Sequence, residues 1–127
     1  MQVLIVDDEP HAQIALTNIV AHRREVEAVD TANDALEALH KLTHRSFDVL
    51  LLDMPEVSRI KLLDQLTELG RHLPSVVFVT PYQQHSLAAS NKHAVEYVLK
   101  PFSNERIEEA LDTVFRRSLI QTIFSIH

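Results

Sequence analysis

The sequence predicts an α/β fold, a doubly wound parallel sheet with helices on both faces. Short apolar runs of strand length alternate with longer stretches of helical periodicity along the chain. A strict βα alternation demands parallel strands joined by right-handed crossovers. Polar residues follow the ends of the apolar runs, where an open parallel sheet forms its binding crevice. The sequence therefore predicts both an architecture and the edge at which function resides.

Composition limits the function classes. The 127 residues suffice for one domain with its own core, but not for two ordinary ones. The absence of cysteine excludes thiolate metal sites, and a single glycine, Gly70, excludes glycine-rich phosphate loops. A net charge of -6 gives no support for nucleic-acid binding by this domain itself. No membrane span or signal peptide is visible, so we expect a cytoplasmic location. The eight histidines are interpreted as surface residues and not as a metal site, with no H-x-x-x-H or H-E-x-x-H pair expected among them.

The stretch Phe47–Pro55 is the centre of the predicted sheet. Four consecutive apolar residues lie between Asp48 and Asp53, which is typical of a short strand buried on both faces. Pro55 prevents the strand from continuing, so we expect Asp53 at the carboxyl end of a strand over 48–53. Taken alone, Asp53 also fits a turn or capping aspartate.

The first strand, Gln2–Val6, is followed at once by Asp7, Asp8 and Glu9. Adjacent acids repel one another unless a cation neutralises them, and carboxylate oxygens are ligands that suit Mg²⁺. The same residues also fit a helix start, with Asp8 as the N-cap and Pro10 in the first turn. Both interpretations are compatible with the sequence.

The remaining elements continue the alternation. Gly70 is expected to end the third helix, and Ser103 to cap the last one. With strand order 2-1-3-4-5, the flavodoxin-like (βα)5 fold is the natural arrangement, and its switch point lies between strands one and three. Helical periodicity predicts helices over 11–22, about 35–43, 57–69, 83–92 and 103–117, and apolar runs predict strands over 25–30, 74–80 and 95–101.

Five polar residues end the predicted strands and meet at one edge: Asp7, Asp8, Asp53, Thr80 and Lys100. The chemistry that suits them is phosphoryl transfer to a carboxylate, with Asp53 as the nucleophile. Asp7, Asp8 and Asp53 would hold Mg²⁺. Lys100 would add positive charge and Thr80 a hydrogen bond to the phosphoryl oxygens. Separately, Lys100 and Thr80 fit a surface lysine and a strand-end threonine, but a shared site explains the set better.

These motifs resemble the receiver domain of two-component response regulators, and the resemblance covers residues 1–117. The segment 82–102 is similar to receivers that precede LytTR-type DNA-binding domains. The resemblance implies a phosphoacceptor at Asp53, switch residues at Thr80 and Tyr97, a sensor histidine kinase as donor, and a role in transcription regulation. The matching segments are Leu4–Pro10, Leu51–Pro55, Val79–Thr80 and Tyr97–Phe102.

Three residues depart from the receiver pattern. Asp53 abuts Met54, where receivers have two further residues before Met-Pro, so the main-chain carbonyl of the metal shell would come from a shortened loop. Pro81 has no N–H to offer a phosphoryl group. Arg59 replaces an expected glycine and would be strained at positive φ. We therefore expect a rebuilt loop after Asp53 and a weak Mg²⁺ site.

The residues 118–127 are apolar for a tail. One interpretation is that they lengthen the last helix and present a partner surface formed by Leu119, Ile120, Ile123 and Phe124. The other is a chain end that packs on its own domain or is disordered.

Three functions stay open. In the first, a sensor histidine kinase phosphorylates Asp53, which changes output-domain activity or homodimerisation through the face formed by 83–92, 95–101 and the last helix. DNA would be contacted only by an output domain absent from this chain. In the second, a degenerate receiver acts as a phosphorylation-independent protein–protein interaction module. The third, an aspartyl-phosphate hydrolase, is disfavoured because no cap domain or second general acid is evident. We therefore predict a protein that is not an enzyme.

Overall fold

A computed structural model describes residues 1–81 and 94–125. In this part of the chain, parallel strands form one five-stranded sheet in the order β2-β1-β3-β4-β5, which confirms the predicted topology. The predicted helix over 83–92 lies outside the described residues. The strands are β1 (Gln2–Val6), β2 (Ala28–Ala32), β3 (Val49–Leu52), β4 (Ser75–Thr80) and β5 (Ala94–Leu99), and the helices are α1 (Pro10–Ala21), α2 (Ala35–His44), α3 (Glu56–Glu68) and α4 (Asn104–Ser125).

The central strand β3 is buried on both faces. It pairs with β1 on one side and with β4 on the other. Val49 and Leu51 pack in a core that includes residues of α1 and α4, whereas Leu50 and Leu52 pack in a core that includes residues of α2 and α3. Because successive side chains point to opposite faces, a strand covered on both sides needs an uninterrupted apolar run.

The structure corrects one of the predicted helix caps. Asp34 caps α2 by accepting a hydrogen bond from the N–H of Glu37 at 2.8 Å. At α1, however, the cap is Glu9. Its carboxylate accepts hydrogen bonds from the N–H groups of His11 and Ala12 at 3.0 and 2.7 Å. The expectation that Asp8 caps this helix is therefore wrong. The longer side chain of Glu9 folds back onto the first turn, and Asp8 is left exposed.

The second strand begins later than the sequence predicted. It starts at Ala28, opposite Gln2, and not near Glu25. Arg23 explains the shift, because its guanidinium bonds to Glu25 and to two acids of α4. These ion pairs hold the connection after α1 against the C-terminal helix, so the chain enters the sheet only after they end.

The connection between β3 and α3 is rebuilt, as expected from the missing residues. Only Asp53, Met54 and Pro55 separate the two elements, and α3 begins at Glu56. Arg59 is therefore helical, with its N–H bonded to the carbonyl of Pro55 at 3.0 Å. The predicted strain at Arg59 is wrong, because among the described residues none other than glycine has a positive φ. Gly70, with φ of 70°, follows the C-cap of α3 as predicted.

The helix α4 extends well beyond the predicted end at residue 117. It is continuous through Ser125, so the tail lengthens the helix over the described residues. Its last turns expose an apolar stripe, which consists of Leu119, Ile120, Ile123 and Phe124 at 60, 50, 49 and 72% exposure. Across residues 1–81 and 94–125, no helix has the length and apolar character that crossing a membrane requires.

The burial of β3 leads to a prediction. Leu51 is 1% exposed, so Leu51→Ala should lower the free energy of unfolding by about 2–5 kcal/mol through lost burial and a cavity. Denaturant unfolding measures this loss. The control is Leu36→Ala at a 78% exposed position of α2, where we expect a change within about 0.5 kcal/mol. A similar small change for both variants would contradict the central position of β3.

Candidate functional site

The site is fixed by backbone bonds that continue the sheet one residue beyond its strands. Asp7, Asp53 and Lys100 each follow the last residue of a strand. Their N–H groups still donate to the neighbouring strand, so their positions at the sheet edge are set by the ladder. The bonds run from Asp7 to the carbonyl of Ala32 at 3.1 Å, from Asp53 to Val6 at 2.9 Å and from Lys100 to Thr80 at 2.9 Å.

Lys100 joins the two carboxylates directly. Its Nζ lies 2.8 Å from Oδ2 of Asp7 and 2.6 Å from Oδ2 of Asp53. Asp7 is fully buried, and its other oxygen accepts from the N–H of Glu9 at 2.9 Å. Both oxygens of this buried carboxylate are therefore bonded, as a buried charge requires. The structure thus brings together three of the five predicted strand-end residues through side-chain contacts.

Burial and neighbouring charge shift the titration of this group. Burial raises the pKa of Asp53, and the carboxylates of Asp7 and Asp8 add to the rise, while Lys100 acts against it. Burial alone would lower the pKa of Lys100, but hydrogen bonds to Asp53 and Asp7 outweigh it and raise that pKa. Both pKa values are therefore raised. Two carboxylates favour the charged form of Lys100, whereas Asp53 faces one ammonium group and two carboxylates.

A cavity of about 320 Å³ opens above Asp53. Asp8 and Asp53 both line it, so the exposed acid that follows β1 shares a space with the predicted nucleophile. Pro81 lines the same cavity, next to the buried Thr80 at the end of β4. The full lining consists of Val6, Asp8, Asn33, Asp34, Ala35, Asp53, Met54, Pro55, Ser58 and Pro81.

Tyr97 lies away from the edge, within the sheet. It is paired with Phe78 across β4 and β5, and their ring centroids are 5.3 Å apart. The guanidinium carbon of Arg59 lies 4.4 Å from the centroid of the same Phe78 ring, with only 2% of this arginine exposed. Burial raises the pKa of Tyr97, while the charge of Arg59 acts the other way. The predicted switch residue thus packs beside a buried cation.

Sequence reasoning missed the groups that brace the site. Gln13 donates from its side-chain amide to the backbone carbonyls of Asp7 and Ala32 at 2.5 and 3.2 Å, and to the side chain of Asn33 at 2.8 Å. This one amide ties the ends of β1 and β2 together. The sequence carried one indication of this role, the position of Gln13 one turn after Glu9 on a helix that leaves the sheet edge.

The carboxylates do not form a preassembled metal centre in this arrangement. Within residues 1–81 and 94–125, no three His, Cys, Asp or Glu side chains are grouped to hold a metal ion. Lys100 instead bonds one oxygen of Asp7 and one of Asp53. The ammonium group of Lys100 therefore already supplies a positive charge between these two carboxylates.

Comparison with known proteins agrees with this geometry. The response regulator receiver domain family matches residues 3–112. The sensory transduction protein LytR of Streptococcus agalactiae is 36% identical over 126 residues, which cover 96% of this chain and 51% of that protein. The chain spans about half the length of the curated relatives it matches.

Solved structures give the same result. The response regulatory domain of protein mrkE from Klebsiella pneumoniae has a TM-score of 0.77 and 28% identity, covering 92% of this chain and 97% of that one. The response regulator protein TrrA from Thermotoga maritima, in complex with Mg²⁺-BeF, has a TM-score of 0.72 and 25% identity, covering 89% and 97% of the two chains.

The raised pKa of Asp53 leads to a prediction. A carboxyl group whose pKa is higher in the folded chain binds more protons when folded, so its contribution weakens stability as pH rises from 3.8 through the folded pKa. Asp53→Asn removes this effect and leaves Lys100 bonded to Asp7. We expect this variant to melt above the parent at pH 7, with the difference vanishing as pH falls below 3.8.

Thermal unfolding between pH 3 and 8 measures this difference. Asp64→Asn, at an exposed position of α3, is the control and should not change the melting temperature. A melting temperature for Asp53→Asn below that of the parent at pH 7 would show that the Lys100 bond outweighs the cost of burial.

Proposed function

The chain belongs to the response regulator receiver domain family, and we propose that it accepts a phosphoryl group on the carboxylate of Asp53. The observation that supports this is the placement of Asp53. Its side chain faces the cavity, is 16% exposed, and has an ammonium group bonded to one oxygen. A half-hidden carboxylate with a fixed cation suits a nucleophile that must receive a charged group.

The chemistry needs few groups. An oxygen of Asp53 forms the new P–O bond while the bond between phosphorus and the donor breaks, and the leaving group keeps that electron pair. Lys100, 2.6 Å from Oδ2 of Asp53, neutralises charge that arrives on the phosphoryl oxygens. We assign the hydroxyl of Thr80 as a further hydrogen-bond donor, because Thr80 ends β4 beside Lys100.

The charge balance of the site favours a divalent cation. Three carboxylates, Asp7, Asp8 and Asp53, face one ammonium, a net charge of -2 that repels an anionic phosphoryl group. The donor set fits Mg²⁺, since all three offer hard oxygen ligands. When bound, Mg²⁺ supplies the positive charge that offsets the phosphoryl oxygens. We expect weak binding, because Lys100 already engages Asp7 and Asp53.

The partners follow from the family. We propose a sensor histidine kinase as the phosphodonor, and an output domain or a second receiver as the recipient of the signal. The relatives support this, because proteins such as LytR are about twice as long as the matched region. Thr80 and Tyr97 are the proposed switch residues. Tyr97 already contacts Phe78, which lies within β4, so a change at the end of that strand can reach Tyr97.

Phosphorylation is tested with acetyl phosphate and Mg²⁺. The parent should gain the mass of one phosphoryl group, and Asp53→Asn should gain none. Pro81→Ala restores an N–H at the wall of the cavity, so this variant should react about tenfold faster or more. Intact-protein mass spectrometry over time measures both rates. No labelling of the parent or of Pro81→Ala would favour the phosphorylation-independent interaction module.

The metal assignment has its own test. Asp8 is exposed, so Asp8→Asn should leave the fold intact and weaken Mg²⁺ binding by roughly tenfold through loss of a charged ligand. Asp34→Asn is the matched control. It lies in the same cavity, and asparagine caps a helix as well as aspartate does. Amide shifts in an Mg²⁺ titration report binding. Equal affinities for the two variants would remove Asp8 from the metal site.

A further inference from the structure

The expectation that no histidines form an H-x-x-x-H pair is wrong. His40 and His44 stand four residues apart on α2, and their ring centroids are 4.2 Å apart with the planes tilted by 39°. Both residues are exposed. From this pair we propose a binding site for a divalent transition-metal ion on α2, formed by residues other than those that line the Asp53 cavity.

The separation of the rings suits one shared ion. Residues at i and i+4 lie one above the other on a helix, which is the spacing of paired zinc-binding histidines. A metal ion lies about 2.0–2.1 Å from an imidazole nitrogen. One ion bound to a nitrogen of each ring therefore places the ring centres about 4.5–5 Å apart. The ring centres of His40 and His44, at 4.2 Å, are close to this separation, so side-chain rotation alone can bring a nitrogen of each ring to one ion.

A backbone contact orients one of the two ligands. Nδ1 of His44 lies 2.7 Å from the carbonyl oxygen of His40. A carbonyl only accepts, so Nδ1 carries the proton and Nε2 keeps the lone pair that a metal needs. Histidine ligands in metal sites commonly donate their other ring N–H in this way, which fixes the tautomer and the ring orientation.

The surroundings do not oppose a cation. Lys41 and Arg45 flank the pair in sequence, but both form ion pairs with the carboxylate of Asp30, at nitrogen–oxygen distances of 3.0 and 3.6 Å. The described part of the chain offers no third metal-ligating side chain in this group, so water completes the coordination. Two imidazoles select Cu²⁺, Ni²⁺ or Zn²⁺ rather than Mg²⁺, with Cu²⁺ bound most tightly. The site is thus chemically separate from the carboxylates at the sheet edge.

An ion held by His40 and His44 clamps one turn of α2. Because the ion binds only where both rings are in place, it stabilises the folded helix by mass action. The same helix begins at Ala35, which lines the Asp53 cavity. Metal at one end of α2 therefore stiffens an element whose other end forms the wall of the phosphoacceptor site.

The test is titration of the full chain with Cu²⁺ in excess Mg²⁺, followed by calorimetry and by electron paramagnetic resonance. We expect one tight equivalent with two nitrogen ligands. His40→Ala and His44→Ala should each weaken it by roughly tenfold or more, because each breaks the chelate. Circular dichroism verifies that the variants fold. Unchanged affinity in both variants overturns the proposal.

His22 supplies the matched control. Its Nδ1 also contacts the carbonyl of the residue four positions earlier, but that residue is Asn18. His22→Ala should leave the tight equivalent unchanged. Asn18→His, at an exposed position of α1, recreates the spacing and should add a second equivalent. If His22→Ala abolishes the tight site, or if Asn18→His adds none, paired imidazoles on a helix do not explain the binding, and the proposal fails.

Discussion

The ammonium group of Lys100 is the interaction on which the site depends. It bonds a fully buried carboxylate, Asp7, and the proposed phosphoacceptor, Asp53, at the same time. A buried charge that loses its partner typically costs about 3–5 kcal/mol, so the link is structural as well as electrostatic. It also holds the ends of three strands in fixed relation, because these residues follow β1, β3 and β5.

This link is possible only because the sheet is parallel. All strands then end at one edge, and a cation that follows one strand can reach acids that follow two others. The register sets which residues arrive there. A slip of one residue in β3 would turn Asp53 away from the cavity and would move the buried leucines to the opposite face. The packing of β3 between two cores therefore also protects the chemistry.

The sequence was sufficient for what depends on one element at a time. Uninterrupted apolar runs identified the buried strands, and the acids and the lysine at their ends identified the edge. What depends on a second element was missed. The late start of β2, for example, follows from ion pairs between Arg23 and α4. The cap of α1 was missed for a local reason, because the side chain of Glu9 is long enough to reach the first turn of its own helix. The H-x-x-x-H spacing of His40 and His44 was also missed, although the sequence alone contains it.

The departures from the receiver pattern are linked to one another by geometry. The absence of two residues after Asp53 lets α3 begin directly after Pro55. Position 59 then falls inside a helix, where arginine is unstrained and glycine would only weaken the helix. The guanidinium of Arg59 reaches Phe78, beside Tyr97. The shortened connection thus accounts for the arginine and brings a cation onto the ring of Phe78, which contacts Tyr97, the proposed switch residue.

The shortened connection after Asp53 does not explain Pro81. It meets Asp53 only at the shared cavity, where its ring nitrogen has no proton to donate. The side-chain part of the site, from Asp7 to Lys100, is complete without it. Charges act over longer distances than a single hydrogen bond, so under the proposed function Lys100 and the carboxylates would set whether a phosphoryl group is received. The missing N–H acts only at contact, and its effect should therefore be on the rate of transfer and not on the identity of the acceptor.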